Sequence, residues 1–203
     1  MKKDQLVQEI EQNRKTDYPI QPLILNRWSP RSMTGEPLSD EELFPLFEAA
    51  RWAPSSYNNQ PWRFLYVKRD TVHWDIFFHL LVDFNKQWCA KAAVLGIILA
   101  KKTFEHNNKP SITHAFDTGA AWENMCLEGT CRGLVVHGMQ GFDYAQAQAR
   151  VTTDFEVLAM FAIGKRAARN ALSNELQAKE IPTSRKKISE FAFELEMKKS
   201  STP

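Results

Sequence analysis

Pro54-Ser55-Ser56-Tyr57-Asn58-Asn59-Gln60-Pro61-Trp62-Arg63-Phe64 is the stretch around which the rest of the 203-residue chain can be organised. Two prolines bracket a run of hydroxyl and amide side chains. Such a run belongs in a loop, because Pro fixes φ while Ser and Asn bond to their own backbone. The hydrophobic pattern changes period across it. Before it, Ser39 and Glu42 have capping-box spacing, and Leu43, Leu46, Phe47 and Ala50 follow at helical intervals. A helix is therefore expected over about 40–52, kinked near Pro45 and ended by Pro54. After the loop, Phe64, Tyr66 and Val67 read as a strand. Ser55, Ser56, Asn58 and Gln60 can each donate and accept, so together they could read the edge of a heteroaromatic ring. As a structural loop the run needs no function. Trp62 is expected in the core.

Downstream, residues 71–82 look helical, with Trp74, Phe77, Phe78 and Leu81 on one face. Val94 to Leu99 is a short apolar run with β-branched residues and reads as a buried strand, with a helix as the alternative. Asp117 to Cys131 reads as a helix whose Ala120, Ala121, Met125 and Leu127 can pack inward, stopped by Gly133. Extended structure resumes at Leu134 to Val136, and Phe155 to Ile163 is a further apolar strand ended by Gly164. At the start, residues 1–16 could form a surface helix with Leu6, Val7 and Ile10 as a thin apolar stripe. Pro19 and Pro22 break any helix there, and Ile24 and Leu25 continue extended. From Ile188 to Met197 the tail alternates apolar and acidic residues and is expected to pack on something.

Composition narrows the function classes. With 26 Lys and Arg against 24 Asp and Glu, the formal net charge is +2, which argues against nucleic acid or an anionic membrane as partner. Hydrophobic residues at 43% and charged residues at 25% describe a globular chain, and its length suits one domain. No signal-peptide pattern opens the sequence, and the apolar run Ala92 to Ala100 is far shorter than the ~20 residues a membrane helix needs, so a cytoplasmic protein is expected. Cys89, Cys126 and Cys131 lack CxxC spacing and read as free thiols. His73, His79, His106, His114 and His137 are scattered, so no metal site is expected. Gly-x-Gly-x-x-Gly, Walker, HExxH and Gly-x-Ser-x-Gly patterns are absent. That leaves a bound cofactor as the source of any chemistry.

Arg27-Trp28-Ser29-Pro30-Arg31 offers a place to hold one. Pro30 disfavours helix at Ser29, and in extended chain alternate side chains share a face. Arg27, Ser29 and Arg31 then converge, with Trp28 and Pro30 opposite. Two guanidiniums and a hydroxyl suit a phosphate monoester. Alone, two arginines spaced by four are more often surface residues. Lys165, Arg166 and Arg169 form another basic cluster that could attract a nicotinamide phosphate, although a solvated turn is the simpler reading.

Taken together, the two segments resemble the nitroreductase family of FMN-dependent oxidoreductases. Its members carry an Arg-x-Ser-x-Arg-like segment followed about two dozen residues later by Pro-Ser-Ser-x-Asn-x-Gln-Pro-Trp-x-Phe, and PSSYNNQPWRF matches every fixed position. Three later segments fit in order, so the resemblance covers roughly residues 24–190: Asn85 with Trp88; Gly138-Met139-Gln140-Gly141-Phe142; and Ile181-Pro182-Thr183-Ser184-Arg185-Lys186. Two positions depart from the family pattern. Thr183 stands where a second basic residue is common, and Gln140 where many relatives have glutamate or glycine.

The resemblance implies an α+β fold, a three-layer α/β/α arrangement with a central, mostly antiparallel sheet. It implies a single FMN-binding domain over 1–203, with 1–23 as an N-terminal extension without a counterpart and 188–203 as a C-terminal arm exchanged in a homodimer. Arg27, Trp28, Ser29, Arg31 and Arg185 would hold the phosphate end of FMN. Asn85 would contact the ring, and Gly138, Met139, Gln140 and Gly141 would lie near its reactive edge. Ser55, Ser56, Asn58 and Gln60 would complete the site, the first three from the partner subunit. The expected activity is ping-pong hydride transfer from NADH or NADPH to an electron-poor small-molecule acceptor, a nitroaromatic or quinone, with no side chain acting as a catalyst. The alternatives are another flavin reaction on the same fold (dehalogenation, ring dehydrogenation, flavin fragmentation) or a non-enzymatic FMN-binding protein.

Overall fold

The computed structural model describes residues 5–195. Among these the helices are α1 (Gln8–Asn13), α2 (Pro22–Asn26), α3 (Asp40–Arg51), α4 (Trp74–Phe78), α5 (Asp83–Cys89), α6 (His114–Cys131), α7 (Tyr144–Gln148) and α8 (Asn174–Lys179). The strands are β1 (Trp62–Lys68), β2 (Val94–Lys101), β3 (Leu134–Met139) and β4 (Phe155–Lys165). They form one sheet in the order β1-β2-β4-β3 with every pair antiparallel, so the fold is α+β.

Alternation along the two central strands sets the layers. Leu95, Ile97 and Leu99 of β2, with Met160 and Ala162 of β4, pack against Phe77, Leu81, Trp88 and Leu176. Val94 and Ile98, with Phe161 and Ile163, point the other way into a second core with Leu43, Leu46 and Ala50 of α3 and Ala121 and Met125 of α6. Successive side chains of a strand face opposite sides, so a strand covered on both faces must be apolar at every position. The unbroken apolar run at 94–99 is therefore a strand. Gly96 leaves room for a neighbour: a Cβ there would stand 2.1 Å from the Phe161 ring.

Ser39 and Glu42 form the reciprocal capping box at the start of α3. The helix continues through Pro45, losing only the bond that residue's missing N–H would have made. Trp62 is buried, as its place at the start of β1 requires.

Four boundaries differ from expectation. The chain before Arg27 is helical rather than extended, because Pro22 occupies the first turn of α2, where its missing N–H costs nothing. The helix expected over 71–82 shrinks to α4, since Leu81 leaves it to bridge Phe142 and Val82 is extended as the cap of α5. α6 begins at His114, three residues earlier than Asp117. Gly164 does not end β4; the strand runs on to Lys165, and Met33 Sδ fills the space where a Cβ would sit, 2.8 Å away.

The N-terminal segment meets the body of the molecule, whereas the described tail is exposed rather than packed as expected. Ile10 of α1 is fully buried rather than part of a surface stripe, and the Val7 N–H donates to Asn26 Oδ1 at 3.0 Å. The tail forms a short turn at Ile188–Glu190, and beyond Phe191 the described residues Phe193 and Leu195 are exposed. The rest of the expected arm, including Glu196 and Met197, lies outside the described residues, as do residues 1–4. No described helix is long and apolar enough to cross a membrane. The three cysteines are free, with Cys89 and Cys126 buried.

Candidate cofactor-binding site

Arg27 leaves the end of α2 in an extended conformation, residues 28–31 follow outside any helix or strand, and the chain then lies along the end of β4. The Thr34 N–H donates to the Lys165 carbonyl at 3.0 Å and the Ala167 N–H to the Ser32 carbonyl at 3.1 Å. On one side of this segment Arg27, Ser29 and Arg31 line a cavity of about 220 Å³ together with Arg14, Trp28, His137, Lys179, Ile181, Thr183 and Arg185. Five cationic side chains and no carboxylate face that space. Two of the lining cations pair with acids that do not line it, Arg27 with Glu123 at 3.2 Å and Lys179 with Glu175 at 2.9 Å.

Two features favour an anion in this space. Arg31 Nε is buried without a hydrogen-bond partner among the described residues. Arg14 is pushed down to about 10, first by burial and then by the charges of Arg185 and Arg27. An anion placed there would satisfy the first and relieve the second.

At Ser29 the cationic cavity adjoins a second of about 350 Å³, lined by Ser29, Ile98, Ala115, Thr118, Gly119, Trp122, Gly138, Met139, Gln140, Leu158 and Ala159. This groove is mostly apolar and runs between α6 and the end of β3. Its α6 wall uses Ala115, Thr118, Gly119 and Trp122, spaced i, i+3, i+4, i+7 along one face of the helix. Gly138 lets that wall close, since a Cβ there would lie 2.9 Å from the Trp122 indole.

His137 borders the cationic cavity. A ring nitrogen, Nδ1, donates to the Pro30 carbonyl at 2.9 Å, and the ring packs 4.5 Å from Trp88. Burial, opposed by its hydrogen bonds and reinforced by the charge of Arg31, lowers its pKa to about 4, so it is neutral at pH 7. The unfolded chain protonates this histidine near 6.5, whereas the folded chain resists until about 4. Its contribution is therefore complete above pH 6.5 and is lost as pH falls toward 4. Denaturant unfolding should show wild type losing roughly 2–3 kcal/mol more than His137→Gln between pH 7 and pH 4.5. Equal losses in the two proteins would contradict this origin.

Asn85 and Gly141 belong to the support of the groove. The Asn85 amide donates to the Gly141 carbonyl at 3.0 Å and accepts from Trp88 Nε1 at 3.2 Å, so both of its ends are engaged within the chain. A Cβ on Gly141 would come within 2.6 Å of that amide, which is why the turn after β3 carries glycine there.

Ser55, Ser56, Asn58 and Gln60 line neither cavity. Their loop is held at the start of α6, where buried Asp117 accepts from the Ser56 N–H at 3.1 Å, and by Ser55 Oγ accepting from the Gln60 N–H at 3.0 Å. Asn59 anchors it to the chain beyond β2 through Thr103 and Glu105. Tyr57, Asn58 and Gln60 all adopt positive φ, between 51° and 53°, and Tyr57 is 84% exposed. Three left-handed non-glycine residues in four positions make a strained surface feature of the kind that persists at binding sites.

In the second basic cluster Lys165 and Arg166 face carboxylates, and Arg169 Nε donates to the Gln177 carbonyl at 2.7 Å. Lys165 pairs with Glu36 and Glu42, while Arg166 lies between Glu9 and Glu180 and stacks 4.7 Å over Trp28. Sequence reading missed Arg14, Lys179, Glu180 and Trp122. Only Trp122 left a legible signal, the small-residue stripe at helical spacing that it completes.

Comparison with known proteins identifies the family. Residues 24–77, which include Arg27 to Arg31 and the whole PSSYNNQPWRF stretch, match the model of the nitroreductase family. A solved oxidoreductase containing FMN is 36% identical, with a TM-score of 0.85 over 91% of this chain and 96% of that one. A protein of Desulfovibrio desulfuricans solved in complex with FMN is 25% identical, with a TM-score of 0.67 over 90% of this chain and 100% of that one. An oxygen-insensitive NADPH nitroreductase of Helicobacter acinonychis is 39% identical over 67 residues, a match that spans about a third of its length, 31%, and 33% of this chain. The chain belongs to the nitroreductase family of FMN-dependent oxidoreductases.

Proposed function

We propose that this chain binds FMN along the two joined cavities and uses it to move hydride from NADH or NADPH to an electron-poor small molecule, a nitroaromatic or a quinone. The observation that carries the proposal is the carboxylate-free ring of Arg14, Arg27, Arg31, Lys179 and Arg185 opening at Ser29 into an apolar groove. A flat ring joined by a flexible polyol to a phosphate has that same distribution of charge.

In this reading Arg27, Ser29, Arg31 and Arg185 hold the phosphate, with Arg14 and Lys179 adding charge, and Trp28 borders the cavity. Gly138, Met139, Gln140 and Gly141 lie along the ring, and Asn85 braces the turn that carries Gly141. Bound there, FMN would supply the redox chemistry of hydride transfer from nicotinamide to acceptor, and a place shared by the two substrates would impose ping-pong kinetics. The chain's own contribution is orientation and electrostatics.

A homodimer completes the site. Ser55, Ser56, Asn58 and Gln60 project from a strained loop outside the chain's own cavities, which supports their use on the ring bound by a second copy. The exposed Tyr57, Ile112 and Phe116 near the start of α6 supply apolar surface for such a contact.

The test is direct. Purified protein should be yellow and release FMN on denaturation, and NADH or NADPH added without oxygen should bleach it, with colour returning on addition of a quinone. Colourless protein that fails to take up added FMN would end the proposal.

A further inference from the structure

We infer that Glu180 is a positioning residue of the phosphate clamp, acting through the backbone of Arg31 and Ser32 to make the site choose phosphorylated flavin over its unphosphorylated form. The inference rests on the proposed FMN site. Glu180 closes α8 and its carboxylate is fully buried. Both oxygens accept from the Arg31 N–H, at 3.0 and 2.9 Å, and Oε1 also accepts from the Ser32 N–H at 3.0 Å. Arg166 stands 3.8 Å away.

A buried carboxylate is costly unless its lone pairs are filled, and here backbone donors fill them. These contacts fix two consecutive peptide groups of the clamp. The far side of the same residues is tied down as well, with Ser32 Oγ donating to the Ala168 carbonyl at 2.6 Å and the Ser32 carbonyl accepting from the Ala167 N–H at 3.1 Å. Backbone direction dictates where the Arg31 side chain leaves the chain. Arg31 therefore enters the cavity beside Lys179, whose carbonyl receives its Nη1 at 3.4 Å. One short helix thus contributes a cation to the cavity through Lys179 and holds a second in place through Glu180. Without Glu180, Arg31 keeps its charge and loses its aim. Such a loss weakens a ligand that uses the guanidinium and leaves one that does not.

The test compares FMN with riboflavin, which has the same ring and ribityl chain but no phosphate, each titrated into flavin-free full-length protein. Glu180→Gln should raise the FMN Kd by at least about tenfold, while the riboflavin Kd stays within about twofold of wild type. An unchanged FMN Kd, or an equal loss for both flavins, would overturn the inference. Should the variant not fold, hydrogen exchange on flavin-free wild type decides instead. The Arg31 and Ser32 amides should already be protected before FMN is added, and free exchange that stops only on FMN binding would overturn the assignment. Wild-type protein that binds neither flavin overturns the functional reading and this inference together.

Discussion

Replacing Arg31 with Ala raises the Kd for FMN by about 10- to 150-fold, because each lost charge-assisted hydrogen bond is worth ~1.5–3 kcal/mol. Arg31 is the cation whose removal should matter most. Its Nε is buried without a partner among the described residues, and its Nη1 makes only a long bond to the Lys179 carbonyl at 3.4 Å, so little is given up on binding. Arg27 shares its Nε with Glu123 at 3.2 Å, so part of its interaction already exists in the free protein, and Arg27→Ala should cost less. Fluorescence titration of the flavin-free proteins measures both. Affinity in wild type should also fall as salt rises, and less steeply in Arg31→Ala, since one of the phosphate's attractive charges is gone. Unchanged affinity in both variants would remove these residues from the site.

Trp88→Ala should give the largest loss of stability, ~3–5 kcal/mol, because it empties a site where the side chain is 1% exposed. For a chain of this length that corresponds to a fall in Tm of about 6–20 °C. The effect should reach the cofactor groove. Trp88 orients the Asn85 amide and covers the His137 ring, and Asn85 in turn holds the Gly141 carbonyl. Thermal melting and denaturant titration check the number. A loss below about 1 kcal/mol would mean the surrounding core can collapse into the space, contrary to the packing described.

Local features of the fold could be read from the sequence where a single element dictates them. The Ser39–Glu42 cap, the loop between Pro54 and Pro61, and the buried strand at 94–99 depend on residues within a few positions of one another. Misreadings arose where a local rule had two outcomes. Pro22 can break a helix or begin one, and only the packing of α2 beside α6 selects the second. The pattern at 71–82 is helical in period, yet Leu81 is drawn out of the helix by its bridge to Phe142, 61 residues away in the chain, which no window can detect.

The site divides in the same way. Arg27, Ser29 and Arg31 are legible because alternation in extended chain puts them on one face, and Gly138 to Gln140 only through the resemblance of their segment to the family's loop. Arg14 and Glu180 are illegible. Each earns its place through contacts across more than a hundred residues, Arg14 Nε to the Thr183 carbonyl at 3.1 Å and Glu180 to the Arg31 and Ser32 N–H groups. A lone arginine in a polar N-terminal stretch and a lone glutamate after a lysine carry no pattern of their own.

A crystal structure of the protein grown with FMN tests the central claim most directly. The phosphate should lie within hydrogen-bond distance of Arg27, Ser29, Arg31 and Arg185, with Arg31 Nε newly bonded and the ring along Gly138 to Gln140. A phosphate bound elsewhere, with Arg31 Nε still unpartnered, would contradict it.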